Sequence, residues 1–421
     1  MRMTLCATSA LWLLAGVLDA QSPADSPGPS LTLAEARAMA ERASPELAAA
    51  RQVVAAAQAR ERQAAAFPNP VLSYAREQTA GAGESNAQNI VTLDQPLEIG
   101  GQRGARRQVA GLTRAAAEAR LASTAAQIAF EVARNYATAA AAERRAGLAE
   151  GAAQAFGRAQ RVSTARLAGG DVSGYQHRRL QLEGARYAAL RLDAFVARDS
   201  AVRTLASLIG LADSASATGS LQLVDTLTPA RLALSVDSLV ARALASRAEL
   251  LAVQFDAQAG LAQARLARAE RIPTPVLSGG YKNERLTTGE TLSGFVAGVS
   301  LPLPLWDRRG GAVQAARADA SRQAAEVDGL RRRTIREVQT AFAAYQTLAG
   351  QLAVLDAQLG QEAMKARRAA EAAYGEGEIS LLEWLDSVRA YQEAEATHAT
   401  LWAEYIARRA ALEHVTGVTL F

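Results

Sequence analysis

Few side chains in this sequence have types and spacings that suit chemistry. Glu383 and Asp386 are three residues apart, which would place both carboxylates on one face of a helix. No segment around them indicates a fold that would hold an acid pair for catalysis. The single cysteine, Cys6, lies in an apolar run at the N-terminus, and the histidines are scattered: His177, His398 and His414. We therefore predict no catalytic residue, no metal site and no cofactor, and a protein that is not an enzyme.

A glycine-rich segment at residues 100–104 follows a candidate strand and opens a candidate helix. No βαβ unit surrounds it, so a phosphate-binding loop is not indicated. The next segment, residues 104–167, contains no proline and consists mostly of Ala, Arg, Glu, Gln and Leu, which are strong helix formers. Residues 312–374 have the same character. Each would form a helix about 95 Å long, which is far longer than the helices of globular domains.

The rest of the chain repeats around these two helices. Residues 67–73 read PheProAsnProValLeuSer, and residues 272–278 read IleProThrProValLeuSer. A glycine break at residues 169–173 follows the first long helix, and a similar break at residues 375–380 follows the second. Prolines cluster at the edges of the candidate strands and are absent from the candidate long helices. The order helix, two strands, long helix, glycine break, helix therefore occurs twice.

These signals divide the chain into five parts. Residues 1–20 are predicted to be a secretory signal peptide, and residues 21–30 a flexible leader. The first repeat spans residues 31–210, with strands at 71–78 and 89–97 around a polar turn at 79–86. Residues 211–234 are a polar linker. The second repeat spans residues 235–421, with strands at 276–286 and 292–303 and a continuous helix predicted over 235–270.

Composition excludes two classes of protein. The chain has 46 basic and 42 acidic residues, and both signs are interspersed along the candidate helices, as on solvated helical faces, so we predict no nucleic-acid surface. No apolar run after the N-terminal segment approaches the length of a transmembrane helix. Aromatic residues are only 5% of the chain, and alanine supplies much of the apolar content, which favours closely packed helices over a thick globular core.

The four strands favour a membrane wall over a soluble sheet. Several of their residues are small or apolar, and four are expected to face water: Thr92, Gln95, Ser293 and Ser300. A four-stranded sheet has two open edges, and open edges are not tolerated in lipid. Several chains would therefore share one barrel, with eight strands from two chains or twelve from three.

Two further segments carry a family resemblance. Residues 95–106 read GlnProLeuGluIleGlyGlyGlnArgGlyAlaArg, and residues 374–386 read TyrGlyGluGlyGluIleSerLeuLeuGluTrpLeuAsp. With the doubled order, they make residues 31–421 resemble the TolC-like outer membrane efflux factor family, in particular its heavy-metal branch for cobalt-zinc-cadmium or copper-silver. The resemblance implies a mainly α fold with a small β part. Long α-helical hairpins would form a periplasmic α-barrel, and four strands per chain would join a shared transmembrane β-barrel.

The resemblance also implies a function and partners. The chain would be the outer membrane channel of a tripartite efflux system, a passive duct for heavy-metal cations or drugs. It would form a homotrimer in outer membrane lipid and extend into the periplasm of a Gram-negative-type bacterium. Its partners would be a periplasmic adaptor, or membrane fusion protein, and a proton-driven inner-membrane transporter. A secreted coiled-coil scaffold or adaptor without a pore is the alternative, although it has no use for two matching hairpins.

The same resemblance implies two groups of site residues. The adaptor-docking tip would comprise Gly169, Gly170, Val172, Ser173, Gly375, Gly377, Ile379 and Ser380. The periplasmic entrance ring would comprise Tyr175, Gln176, Glu383 and Asp386. The family closes its entrance with an acidic residue and an arginine, but Gln176 and Ile379 occupy those positions here. A hydrogen bond from Tyr175 or Gln176 to Asp386 is the replacement we consider. Alternatively, Gly170 and Gly377 only provide the backbone conformation that ends a helix.

Overall fold

The structure is a computed structural model that describes residues 30–81, 84–211, 221–224 and 235–419. The predicted signal peptide, the leader up to residue 29 and most of the linker lie outside these residues. The described elements of the first repeat are β1 (Ser30–Leu31), α1 (Leu33–Ala43), α2 (Pro45–Ala64), β2 (Val71–Gly81), β3 (Glu84–Pro96), α3 (Gln102–Gly169) and α4 (Gly174–Leu208). Those that follow are β4 (Gln222–Leu223), α5 (Val236–Ser246), α6 (Ala248–Ala269), β5 (Val276–Arg285), β6 (Thr291–Ser300), α7 (Gly310–Glu376) and α8 (Leu381–Thr416).

The two long helices form as the composition predicts. Helix α3 has 68 residues and α7 has 67, so each is about 100 Å long. Each begins after a residue with positive φ, Gly101 at 76° and Arg309 at 53°, and each ends at a left-handed glycine. No described helix has an apolar run of the length that a membrane crossing requires.

The long helices lie in one layer with two different edges. In the half next to the glycine breaks, α3 packs between α4 and α8, and α7 packs on α8. In the half next to the strands, α3 packs between α2 and α6, and α7 packs on α6. The layer therefore has α2 and α4 along one edge and α7 along the other.

The packing between these helices is thin. The buried positions of α3 are mostly alanines, which allow helices to approach closely. Larger side chains form separate clusters. In one of these, Val338, Tyr345 and Leu352 of α7 are fully buried with Tyr405 of α8, whose hydroxyl is 3.3 Å from that of Tyr345. The three α7 positions repeat every seven residues, as expected for a helical packing seam.

The four long strands form one antiparallel sheet in the order β2-β3-β5-β6. Each repeat contributes a hairpin, and β3 pairs with β5 to join them. The predicted polar turn at residues 79–86 is mostly wrong, because Thr79 pairs with Asn86 and Ala80 with Ser85 in the ladder. Backbone pairing does not require apolar side chains. Strand β6 ends at Ser300 rather than at residue 303, since Pro302 cannot donate a ladder hydrogen bond.

The helix predicted over residues 235–270 is broken at Arg247. Its backbone is extended there, and α6 begins at the next residue. No proline or glycine marks this break. The end of α8 docks against it, because a Cβ on Gly417 would lie 2.8 Å from the Arg247 Cα, and the Ser246 hydroxyl donates to the Thr416 carbonyl at 3.3 Å. A long-range contact therefore sets this boundary.

A small parallel pair joins the first described residues to the predicted linker. Ser30 pairs with Gln222 and Leu31 with Leu223, so residues 211–234 contain a short strand. Leu31 and Leu221 are buried in a cluster with α1, α3 and α4, and the Tyr136 hydroxyl donates to the Leu31 carbonyl at 2.9 Å. The buried side chains of Leu31 and Leu221 hold this part of the linker against the helices. The polar composition of the linker did not predict this packing.

Candidate functional site

The strand sheet has one apolar and one polar face. The register places these side chains on the apolar face: Leu72, Tyr74, Val91, Leu93, Leu277, Tyr281, Phe295 and Val299. The opposite face is mostly polar and carries Ser73, Glu77, Gln88, Thr92, Asp94, Ser278, Lys282, Glu284 and Ser300, together with the apolar Val71, Ile90, Leu292 and Val296. Polar pairs form on it, such as Ser73 Oγ donating to Asp94 at 3.2 Å and Lys282 with Glu284 at 2.9 Å. This alternation is typical of a strand wall between lipid and water.

Two of the four residues predicted to face water lie on the other face of the sheet. Thr92 and Ser300 lie on the polar face, but Gln95 and Ser293 lie on the apolar face. Both are at its ends. Ser293 is opposite Asn283, near the turn of the second hairpin, and Gln95 donates to the Pro68 carbonyl at 3.0 Å at the helical end. The apolar band therefore lies between two polar margins.

The outer strands of the sheet continue into the outer helices of the layer. Strand β2 follows α2 directly, and β6 leads directly into α7. Strands β2 and β6 each pair on one side only among the described residues. Sheet and helical layer therefore have their open edges on the same two sides. One edge differs from the other, so the edges would meet head to tail between copies.

The first tip turn, residues 169–173, joins α3 to α4. Gly170 has φ of 82°, and the amide of Asp171 donates to the Arg166 carbonyl at 2.9 Å, which closes the end of α3. Ser173 then caps α4. Its hydroxyl accepts from the amide of Gln176 at 3.2 Å, and the Gln176 side chain accepts from the Ser173 amide at 3.3 Å. A Cβ on Gly170 would contact nothing, so only the backbone conformation requires glycine there.

The second tip turn, residues 377–380, joins α7 to α8 in the same way. Gly377 has φ of 88°, and the amide of Glu378 donates to the Ala373 carbonyl at 2.9 Å. Ser380 and Glu383 form the capping box, with both the amide and the hydroxyl of Ser380 donating to one Glu383 oxygen at 2.8 Å. These hydrogen bonds lower the pKa of Glu383. Gly375 lies in the last turn of α7 rather than in the turn itself.

Arg166 connects the two turns. Its Nη1 donates to the Tyr374 carbonyl at 3.2 Å, so a cation in the last turn of α3 binds the C-terminal end of α7, where cations are favoured. A Cβ on Gly377 would overlap this guanidinium. Gly377 therefore meets two requirements, the positive φ and the space for Arg166, whereas Gly170 meets one.

An aromatic cluster lies behind the turns and holds the repeats together. Trp384 is 1% exposed, stacks on Tyr374 at 5.2 Å and meets the Phe156 ring edge-on at 4.9 Å, and Phe156 stacks on Tyr187 at 4.4 Å. These residues come from α3, α4, α7 and α8. Burial raises the pKa of Tyr187 and of Tyr374. Sequence reasoning missed this cluster and Arg166, although the quoted segment 374–386 contains two of its aromatic residues.

The four predicted ring residues lie in the first two turns of α4 and α8. Tyr175 is 73% exposed, and Gln176, Glu383 and Asp386 are also exposed. The side chains of Gln176 and Glu383 belong to the capping boxes. No hydrogen bond described for this chain joins Tyr175 or Gln176 to Asp386. Asp386 thus presents a carboxylate to the surface, beside a Glu383 that is held by Ser380.

The two predicted tip residues with larger apolar side chains differ in their packing. Ile379 packs against the aromatic cluster and is partly buried. Val172 is half-buried in the first turn, and Gly169 is the last residue of α3. The structure therefore brings the predicted tip residues together as two adjacent turns at one end of the layer.

This combination defines a class of protein. Two repeats of long helical hairpins, joined to an amphipathic four-stranded sheet, form the fold of a TolC-like outer membrane channel. The fold agrees with that of a solved structure, the outer-membrane channel OprN, with a TM-score of 0.74 at 19% identity, over 91% of this chain and 89% of that one.

The sequence comparisons point to the same family. The model of the family "Outer membrane efflux protein" matches residues 239–418. The nickel-cobalt-cadmium resistance protein NccC of Alcaligenes xylosoxydans xylosoxydans is 30% identical over 253 residues, 59% of this chain and 54% of that protein. The cobalt-zinc-cadmium resistance protein CzcC of Cupriavidus metallidurans is 30% identical over 233 residues, 54% of this chain and 53% of that protein. The chain spans about half the length of these curated relatives. The resemblance to the outer membrane efflux family is thus confirmed.

Proposed function

We propose that this chain is one subunit of an outer membrane channel that acts as the passive duct of a tripartite efflux system. The observation that carries the proposal is the amphipathic sheet with two open edges, continued by a helical layer with open edges on the same sides. Lipid does not tolerate unpaired strand edges, so copies must close the sheet. Three copies would give twelve strands, an even number within the range of bacterial outer membrane barrels.

The direct test combines assembly with topology. We expect an SDS-resistant trimer in outer membrane fractions. Cysteines replacing Ser85 and Thr288, near the tips of the two hairpins, should react with a membrane-impermeant reagent on intact cells. Arg332→Cys, on an exposed position of α7 that the proposal places in the periplasm, is the control and should react only after lysis. A soluble monomer, or hairpin cysteines protected in cells but reactive when purified, would favour the scaffold without a pore.

The substrate class proposed here is divalent metal cations, with drugs as the alternative. Support comes from the names of the relatives, which are metal-resistance proteins, and from the carboxylates near the tip. In a strain that lacks its own outer membrane channel for a metal pump, expression of this chain should restore growth on cobalt, zinc or cadmium. If expression restored resistance to drugs but not to these metals, drugs would be the substrate class instead.

The proposed partners are a periplasmic adaptor and a proton-driven inner-membrane transporter, and the proposed adaptor-docking surface is the pair of tip turns. The first turn supports this role because a Cβ on Gly170 would contact nothing, so the space above this glycine is open to a partner. A cysteine at Val172 should cross-link to the adaptor in cells, whereas Arg332→Cys should not. Equal cross-linking at both positions would contradict the proposal that the adaptor docks at the tip turns.

Asp386 is the residue we propose for the entrance ring. Three copies around a narrow passage would attract cations, as rings of charged side chains do in other pores. Asp386→Asn should lower cation preference and block by multivalent cations in a planar bilayer, with assembly unchanged. Glu383→Gln should deepen the effect. Unchanged cation preference and unchanged block in the double variant would show that both carboxylates are ordinary surface groups.

A further inference from the structure

The two segments that connect a strand to a long helix differ in the contacts that their arginines make. In the first, residues 97–101, the following arginines are engaged within the chain. Arg103 donates to the Ala65 carbonyl at 2.6 Å, and its guanidinium lies 3.9 Å from the centroid of the Phe67 ring. Arg106 forms an ion pair with Glu98. This passage therefore uses its cations to hold α2, α3 and the strand end together.

The second passage, residues 301–309, exposes its apolar side chains instead. Leu301, Leu303 and Leu305 are exposed, and Trp306 is 94% exposed. The leucines continue the odd-numbered positions that place Phe295 and Val299 on the apolar face of the sheet. The prolines between them cannot extend the ladder. We call this segment the second junction loop. It follows the apolar face of β6 directly in the chain and exposes further apolar side chains between the sheet and α7.

Cations follow this apolar segment directly. Arg308 makes no ion pair among the described residues, and its carbonyl accepts from Arg271 Nε at 3.2 Å. Arg309 pairs with Glu270 at 2.5 Å, and its amide donates to Asp307 at 2.7 Å. The second junction loop thus ends in two adjacent arginines, and one of them has no carboxylate partner within the described chain.

Arg309 also has an unfavourable backbone. It is the only non-glycine with positive φ among the described residues, and the equivalent position of the first repeat, Gly101, is a glycine. A side chain at such a position costs free energy that glycine avoids. The ion pair with Glu270 holds this side chain beside the second junction loop in spite of that cost.

We propose that the second junction loop docks on anionic phospholipid headgroups at the helical margin of the membrane, with Trp306 and the leucines at the boundary between headgroup and acyl chain. Arg308 and Arg309 would contact the phosphodiester oxygens, which arginine binds well. The proposal rests on the proposed insertion of the sheet in a membrane. Tryptophan is enriched at such boundaries, and clustered cations favour anionic lipid. Continuity with the apolar face and the arginines beside it identify lipid as the occupant.

The first experiment locates Trp306. The full chain is reconstituted in vesicles of phosphatidylethanolamine and phosphatidylglycerol that contain lipid brominated near the glycerol end of its acyl chains. The fluorescence difference between the unmodified chain and Trp306→Phe isolates Trp306 from the other tryptophans, Trp12, Trp384 and Trp402. We expect this difference signal to be quenched. Phe295→Trp in the Trp306→Phe chain reports whether the sheet is inserted at all.

The outcomes separate the two proposals. Quenching at both positions supports the docking of the loop. Quenching at position 295 without quenching of Trp306 overturns the loop proposal and leaves membrane insertion in place, as would be found if a second copy of the chain covered the loop. No quenching at either position overturns both.

The second experiment tests the headgroup preference. Native mass spectrometry of the detergent-purified chain measures how much phosphatidylglycerol is retained relative to phosphatidylethanolamine. This ratio should fall about fivefold for each arginine removed in Arg308→Gln and Arg309→Gly. Arg332→Gln, on α7 and about 35 Å from Arg309 along the helix, should leave it unchanged. Added inorganic phosphate should not displace the lipid. An unchanged ratio in the double variant, or displacement by free phosphate, overturns the assignment to lipid headgroups.

Discussion

The two tip turns have the same backbone and different surroundings. Both end a long helix at a left-handed glycine and begin the next helix with a serine capping box. Behind the first turn lies His177, whose ring nitrogens are 3.0 Å from the Ser163 hydroxyl and the Gln181 amide. The equivalent position behind the second turn is Trp384, which is buried among aromatic rings.

This difference assigns the two turns different mechanical roles. The second turn is packed against Arg166 and the aromatic cluster, so a change there must disturb helices of both repeats. The first turn is constrained by its hydrogen bonds to α3 and by the positive φ of Gly170, and no side chain fills the space above that glycine. We therefore expect a partner to reshape the first turn at lower cost than the second. Each of the following variants changes one contact that differs between the two turns. All unfolding measurements should use the same protein concentration, because the apparent stability of an oligomer depends on it.

The largest difference should come from the residues behind the turns. Trp384→Ala leaves a cavity between Tyr374 and Phe156 and should lower the free energy of unfolding by about 3–5 kcal/mol. His177→Ala, at the equivalent position of the first repeat, removes only hydrogen bonds and should cost about 1 kcal/mol. Urea unfolding followed by circular dichroism measures both. Equal costs would mean that the aromatic cluster does not hold the second turn.

The glycines should differ next. Gly170→Ala should cost about 1–2 kcal/mol, the price of a side chain in the left-handed region. In Gly377→Ala the new Cβ would also overlap Arg166, so this variant should lower the free energy of unfolding by more than Gly170→Ala does. The same urea unfolding compares them, and Asn, which tolerates this backbone, should be accepted better at position 170 than at 377. If both positions accept Asn equally well, Arg166 does not occupy the space above Gly377.

Arg166 itself should contribute less. Arg166→Ala removes the hydrogen bond to the Tyr374 carbonyl and should cost about 1 kcal/mol. It should also relieve the overlap in Gly377→Ala, so the double variant should be more stable than the sum of the single changes predicts. A double-mutant cycle by urea unfolding measures this coupling. Additive effects would show that Arg166 and Gly377 act independently.

The smallest effect should come from the capping residues. The pKa of Glu383 is lowered by Ser380, so its stabilising contribution is present above its unfolded pKa of about 4.3 and is lost as pH falls through the folded value. Glu383→Gln copies the first turn, where Gln176 has this role, and should remove the pH dependence while keeping the cap. Thermal unfolding of both chains across the acidic range tests this. A pH dependence that persists in the variant would have another source.

Local signals predicted most of the fold. Proline placement located the strands, and the absence of proline together with the terminal glycines located both long helices within a few residues. The break at Arg247 was missed because Gly417, far along the chain, imposes it. Proline and glycine also did not reveal how far β2 and β3 extend, since polar residues pair in a ladder as readily as apolar ones do.

The candidate site was predictable only in outline. Glycine and serine types predicted where the turns lie and that they need positive φ. The contact of Arg166 with Tyr374 joins residues of different repeats, and no periodicity within a repeat indicates it. Likewise, capping chemistry at Gln176 and Glu383 is readable from Ser-x-x-Gln and Ser-x-x-Glu, yet these residues were assigned to the entrance ring.

The unlike edges of the sheet and the helical layer have a genetic consequence. In a ring closed head to tail, every subunit must offer a sound β2 edge to one neighbour and a sound β6 edge to the other. A chain with one defective edge still binds through its good edge and leaves the ring open. In the proposed ring of three, a cell in which half the chains carry such a defect would complete only about one ring in eight. Edge variants of this protein should therefore be dominant, whereas variants of the tip turns should dilute activity in proportion to their share.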